Sequence, residues 1–420
     1  MVTSLLSSHI QPERLWADLM ELGAITDPDR PYTRRSFSDR FLEGRAWLRT
    51  RLEQAGLTCR IDTAGNLIGR RPATSPTART IMTGSHSDTV PAGGRFDGIL
   101  GVLAGVEIAR AMQDSGAILS HHFEVIDFLA EEPSDFGLSC IGSRGMTDSL
   151  TADHLALLAP WGENLADAIT RMGGNAAELP RAQRHDIAAF MELHIEQGIV
   201  LERTGTDIGI VDGIVGVTRI EVIFAGRADH AGTTPMDCRQ DALVVAAGMV
   251  TAVSRLAREA AGAKEGHVTA TCGVMEVQPN ASNVVPRQAR LVIDIRVSER
   301  ETRERLVTRF HAVAAELAAE AHVMLAGFEI QSDTSPVACS SVLAGELEAA
   351  AHTLGLSSRR MVSGAGHDAA FMARIAPSAM LFIPCRDGRS HDPDEWITAH
   401  DAANGTRVLA DAIMTADRMS

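Results

Sequence analysis

RTIMTGSHSDTVPAGGRFDGILGVLAGVEIARAM at 79–112, followed by FEVIDFLAEE at 123–132, decides the fold. Arg79–Ser85 is a short apolar run and reads as a buried strand. It leads into a glycine-rich loop at Pro91–Arg95. Ile99–Met112 reads as an apolar helix. Phe123–Leu129 reads as a second strand, ending at Ala130-Glu131-Glu132. Strand, loop, helix, strand is the grammar of an α/β sheet. Ligands of such sheets sit at the carboxyl ends of the strands. His86, Asp88, Glu131 and Glu132 all fall just past strand ends.

Upstream, residues 10–60 read as helices, with Leu15, Leu19 and Leu22, then Phe41, Ala46, Leu48 and Leu52, at helical spacing. Downstream, Phe190–Gly198 reads as a third strand. The texture changes near Gly213. Val217–Phe224 alternates like a half-buried strand, Asp241–Leu256 is an apolar helix, and Val268–Val277 and Ala289–Val297 are strands. Glu299–Ala321 is a charged amphipathic helix. This β-α-β-β-α order predicts an inserted α+β domain with an antiparallel sheet at 213–330. After Asp333 the α/β pattern returns, with Ala379–Cys385 as a strand. Residues 1–212 and 331–420 are therefore expected to form one discontinuous α/β domain.

The chain has 420 residues, 45% apolar and 22% charged. That length suits two or three domains and buries a core without disulfides. Aromatics make up only 4%, so the core leans on Ala, Val, Leu, Ile and Met. The net charge of −15 argues against nucleic acid and anionic lipid as partners. Lysine occurs once, at 264, so a fixed cation in a site would be a guanidinium. Cys59, Cys140, Cys238, Cys272, Cys339 and Cys385 are dispersed, with no CxxC pair. That is neither a disulfide framework nor a thiolate metal knuckle, and it suits reduced thiols in the cytoplasm. MVTSLLSSHIQPERLW lacks the pattern of a signal peptide, and no run of 18 apolar residues suggests a membrane span.

The chemistry-bearing set is His86-x-Asp88, Asp97, Glu131-Glu132, His194 and His391. Imidazole and carboxylate donors without thiolate suit Zn, Mn, Co or Ni. Two such ions about 3.5–4 Å apart need a bridging carboxylate and further ligands on each side. A ligating histidine usually hands its other ring N–H to an oxygen acceptor. The chain offers a candidate for every role.

Seven segments carry a resemblance: GSHSDTVPAGGRFDGILGV (84–102), EEPSDFGLSCIGSRG (131–145), ELHIEQG (192–198), GRADHAGTTPMDCRQDA (226–242), SNVVPRQARLVIDIR (282–296), SGAGHDA (363–369) and SHDPDEW (390–396). Together they resemble the M20-type metallopeptidase clan, more narrowly its hydantoinase/carbamoylase branch. That branch holds N-carbamoyl-L-amino acid amidohydrolases, allantoate amidohydrolases and β-ureidopropionases. The resemblance runs over nearly the whole chain in the family's order. It implies a Zn-peptidase-like catalytic domain with a smaller dimerisation or lid domain that closes on substrate, and a homodimer. It implies His86, Asp97 and His194 on one metal ion, and Asp97, Glu132 and His391 on a second, with Asp97 bridging. Asp88 would support His86, and Glu131 would be the general base that activates water. His230 would bind the substrate carbonyl and the oxyanion. Asn283 and Arg296 would hold the substrate carboxylate, with Gln197, Gly366 and His367 as further substrate contacts.

The implied reaction is hydrolysis of a ureido C–N bond beside a carboxylate, with allantoate or an N-acyl amino acid or dipeptide as alternative substrates. One departure stands out. The branch commonly follows the double Glu with Gly, a small residue, Arg and Phe, whereas here the run is Pro133-Ser134-Asp135-Phe136.

Overall fold

The computed structural model describes residues 6–181, 183–263 and 266–419. Lys264 and the first five residues lie outside them. In chain order the strands are β1 (Thr58–Ile61), β2 (Leu67–Arg71), β3 (Thr80–His86), β4 (His122–Phe128), β5 (Ile187–Ile195), β6 (Ile208–Ile214), β7 (Gly216–Ala225), β8 (Val268–Gln278), β9 (Gln288–Val297), β10 (Met324–Asp333), β11 (Val337–Ala338), β12 (Ser358–Ser363) and β13 (Ser378–Ile383). The chain divides into two compact units. The first comprises 1–212, 338–361 and 367–420; the second comprises 213–337 and 362–366.

The first unit is built on a mixed sheet in the order β1-β2-β4-β3-β5-β13-β6-β11, with β12 beside β6. Its centre, β4-β3-β5-β13, is parallel. Every residue of those four strands is buried. Helices cover both faces of such a sheet, so its strands read as continuous apolar runs rather than alternating ones. The helix Ile99–Ser115 lies between β3 and β4 in the chain and is buried from Ile99 to Met112. Three rings lock the loops beside it. Trp16 stacks on Phe96 with centroids 5.6 Å apart, and Trp396 meets both edge-on.

The N-terminal helices are Pro12–Ala24 and Asp39–Gln54, and the chain is a strand from Thr58 onward. β1 and β2 escape a sequence reading because they are short and carry Arg60, Arg70 and Arg71. As an antiparallel pair leading to β4, they need no apolar run.

The second unit holds an antiparallel sheet in the order β10-β7-β9-β8. Burial alternates along β7 and β9. The helices Ala242–Gly262 and Arg300–Glu320 bury their apolar stripes with the inward residues of these strands. Asp241 caps the first, accepting from the Leu243 and Val244 amides. This unit runs to Val337 and recovers 362–366, where the sequence reading closes it at 330. β10 carries the chain past that point as a full partner of β7. Among the described residues no helix is long and apolar enough to cross a membrane, and all six cysteines are free.

Candidate metal centre

The parallel strands deliver the donors to one end of the sheet. β3 ends on His86, β5 carries Glu192 and His194, and the chain leaving β4 reaches Glu131 and Glu132. The segment after β13 brings Ser390, His391 and Glu395. Asp97 stands just before the helix Ile99–Ser115. Ala130, Gln197 and His391 hold left-handed backbones, with φ of 53°, 54° and 56°. Non-glycine residues adopt that conformation uncommonly, and such residues tend to cluster at functional sites. Gly98 has φ 69°, and a Cβ there would lie 2.4–2.5 Å from the His86 ring. Only glycine allows Asp97 and His86 to approach so closely.

Both central imidazoles have a determined orientation. His86 Nδ1 is 3.0 Å from the Asp88 carbonyl, and His194 Nδ1 is 2.9 Å from the Ile195 carbonyl. A carbonyl only accepts, so Nδ1 carries a proton and Nε2 is the edge turned to the carboxylates. His86 Nε2 lies 3.7 Å from Asp97 Oδ1, and His194 Nε2 lies 3.1 Å from it. On the other side, His391 Nε2 lies 3.1 Å from Asp97 Oδ2 and 3.0 Å from Glu132 Oε1. Protonated, the imidazoles pair with these carboxylates; deprotonated at Nε2, they and the carboxylates are the donors a divalent ion takes. The donor set therefore fits a divalent ion. Two potential ion-holding groups share Asp97: His86–Asp97–His194 and Asp97–Glu132–His391. A third, Glu192–His194–His367, shares His194.

The electrostatics describe the protonated state of the cluster. Burial pushes Glu131 well above the usual carboxylate range against the pull of His86. Burial would also raise Asp97, but bonding to His194 and His391 holds it well below that range. Between Asp97 and Glu132, His391 rises to about 11. So much buried acid needs positive charge close by, and the imidazoles are its nearest source. Cys140 Sγ is 3.5 Å from Glu131 Oε1. Burial and that carboxylate push the thiol well up, so it stays protonated.

The supporting residues have specific partners. Asp88 supports His86 through its carbonyl. Its carboxylate, with Oδ1 3.6 Å from His86 Nδ1, also accepts from the amides of Glu131 and Glu132, each at 3.2 Å. Arg34, fully buried, holds the neighbouring loop by donating to the Ser87 carbonyl at 2.8 Å. Gln197 donates from Nε2 to Asp97 Oδ2 at 2.9 Å and to Ser390 Oγ at 3.2 Å. His367 is buried, its ring 4.7 Å from that of His194. Asp135, where the branch commonly has arginine, pairs with Arg35 at 2.8 Å. Arg35 also donates to the Pro133 carbonyl. The departure thus leaves a guanidinium beside this loop, supplied from elsewhere in the chain.

The second unit carries His230, Asn283, Arg296 and Gly366. His230 Nδ1 accepts from the amides of Gly232 and Thr233, so its proton is on Nε2 and that edge is a donor. The Asn283 carbonyl accepts from the Ala231 amide at 3.0 Å, which holds the two segments side by side. Arg296 donates to Asp294 at 2.9 Å and to the Gly364 carbonyl at 3.1 Å. Gly366 is exposed.

Glu192, Asp368, Ser390 and Glu395 escaped the sequence reading. Glu192 accepts from Ser85 Oγ at 2.6 Å and Asp368 from Ser143 Oγ at 2.5 Å. No periodicity marks such residues. For Glu192 and Asp368 the one signal is an acid within two residues of a histidine, in ELHIEQG and SGAGHDA; Ser390 and Glu395 show none.

A histidine–carboxylate cluster at the carboxyl ends of a mixed α/β sheet, with an inserted α+β unit, defines a hydrolase of the metallopeptidase type. The chain belongs to peptidase family M20/M25/M40, whose model matches residues 82–415. It is 39% identical over 403 residues to the N-carbamoyl-L-amino acid amidohydrolase of Geobacillus stearothermophilus, covering 95% of this chain and 97% of that one. It is 34% identical over 409 residues to the ureidoglycolate hydrolase of Oryza sativa subsp. japonica, covering 96% and 84%. Among solved structures, a hydantoinase/carbamoylase family amidase from Burkholderia multivorans superposes with a TM-score of 0.88 at 34% identity, over 97% and 98% of the two chains.

Proposed function

We propose that this protein hydrolyses the ureido C–N bond of an N-carbamoyl-L-amino acid, giving the amino acid, carbon dioxide and ammonia. The observation that carries the reading is the pair of donor groups sharing Asp97, in a chain whose relatives are amidohydrolases. His86, Asp97 and His194 would hold one divalent ion, and Asp97, Glu132 and His391 would hold a second. When bound, the ions polarise the carbonyl and lower the pKa of water.

The chain's own groups do the rest. Glu131 takes a proton from the attacking water, whose oxygen bonds to the carbamoyl carbon. His230 offers its Nε2–H to the oxygen that becomes negative, a contribution typically worth about 10²–10³ in rate. Glu131 then returns the proton to the leaving nitrogen, the C–N bond breaks, and carbamate departs to decompose. Asn283 and Arg296 hold the carboxylate, which guanidinium grips well. Gln197, Gly366 and His367 complete the substrate contacts. The protein works as a cytoplasmic homodimer, which sedimentation and fractionation test.

The deciding experiment is product release by enzyme supplied with Zn, Mn, Co or Ni. The panel is N-carbamoyl-L-amino acids, N-carbamoyl-β-alanine, allantoate, ureidoglycolate, N-acetyl amino acids and dipeptides. Turnover of N-carbamoyl-L-amino acids, abolished in Glu131→Gln with metal content unchanged, is the expected result. Turnover confined to acyl or peptide substrates would overturn the reading.

A further inference from the structure

Glu395 is 1% exposed and takes no part in the chemistry above. It sits beneath the loop that presents Asp97. One carboxylate oxygen accepts from the amides of Phe96 at 2.8 Å and Asp97 at 3.1 Å. The other lies 2.9 Å from Ser390 Oγ, and that hydroxyl is also 2.9 Å from Asp97 Oδ2. Room for the carboxylate is made by Gly94, where a Cβ would fall 1.9–2.1 Å from it. The residues that flank the contact, Phe96 and Trp396, pack edge-on 5.7 Å apart. Asp97 is thus held directly at its main chain, while at its side chain the single hydroxyl proton of Ser390 is shared between the Glu395 and Asp97 carboxylates.

We propose that Glu395 is the positioning residue of the candidate metal centre: it sets the place of the shared carboxylate and so the affinity of both ion positions at once. This rests on the reading that both donor groups use Asp97. A ligating carboxylate is aimed by what hydrogen-bonds it, and losing such a partner typically weakens metal binding about 10–100-fold. Because Asp97 belongs to both groups, the loss falls on both ions. Removal of a ligand to one group only, as in His391→Ala, falls on one.

The test titrates Mn2+ and Zn2+ into metal-stripped wild type, Glu395→Ala, Glu395→Gln, Ser390→Ala and His391→Ala by calorimetry, with melting in chelator as the folding control. The expected result is two sites in wild type, both weakened about 10–100-fold in Glu395→Ala. Glu395→Gln recovers part of the loss, since its amide oxygen still accepts from Phe96 and Asp97. Ser390→Ala, which removes one hydroxyl and little packing, gives a smaller loss at both sites and stands in if Glu395→Ala does not fold. Wild-type affinity at both sites in folded Glu395 and Ser390 variants overturns the proposal and leaves the two-ion reading intact. A wild type that binds no divalent ion overturns that reading and the proposal with it.

Discussion

At Gly98 the chain turns through φ 69° with the His86 imidazole against its α-carbon. An alanine there meets two costs. At φ 69° and ψ −46° the backbone is that of a γ-turn, closed by the Ile99 amide donating to the Asp97 carbonyl at 2.8 Å, a strained conformation that glycine adopts most readily, and the methyl must displace the ring. Gly98→Ala is therefore expected to fold and to lose about tenfold or more in kcat/KM, with reduced metal content, because a misaimed ligand weakens the centre by about that factor. Steady-state kinetics beside elemental analysis checks it; full activity with full metal content would show that the ring has room to move. His86, Glu132 and His194 could be picked out in the sequence because they stand at ends of apolar runs, whereas Asp97, in a glycine-rich loop, and His391 were assigned to the set by the family's motifs. Ser390 and Glu395 could not, because a hydroxyl and an acid in a polar loop carry no pattern until another segment supplies their partner.

Among the elements, β4 holds the edge of the sheet by charge as well as by backbone pairing. Glu124 is fully buried, with Arg60 of β1 at 3.0 Å, Arg70 of β2 at 2.8 Å and Arg184 at 3.0 Å. Burial alone would raise its pKa, but the arginines, Arg184 foremost, hold it below the usual carboxylate range. Removing one partner of a buried ion cluster costs about 3–5 kcal/mol, and the part-exposed arginines place Glu124→Gln at the low end, about 3 kcal/mol. A carboxylate depressed on folding stabilises fully above its unfolded pKa of about 4.3, and that stability is lost as pH falls through the folded value. Urea melts should show a constant gap between wild type and Glu124→Gln from pH 7 to about 5, shrinking below about 4. A gap independent of pH would mean that the charge is not the source. The same arginines hid β1 and β2 from a periodicity reading, whereas the buried β3, β4, β5 and β13 announced themselves as apolar runs.

Across the whole molecule, each unit has its own core, and the candidate donors lie in the first. An ion at about 100 times its Kd stabilises the unit that holds it by about 2.7 kcal/mol. At about 2 °C per kcal/mol for a unit this large, chelation of both ions should lower the first unit's calorimetric transition by about 11 °C and spare the second's. Equal loss in both, or in neither, would contradict a centre confined to the first. The sequence by itself determined the α/β class, the inserted α+β segment, the family and the kinds of donor, because burial periodicity and short motifs are local properties of a chain. Only the tertiary structure decided which oxygen of Asp97 faces which imidazole, that Asp88 bonds the Glu131 and Glu132 amides, that Arg35 answers Asp135, and that Glu395 lies beneath the loop. These are contacts between segments up to 299 residues apart, and their geometry exists only once the sheet has brought the strand ends together.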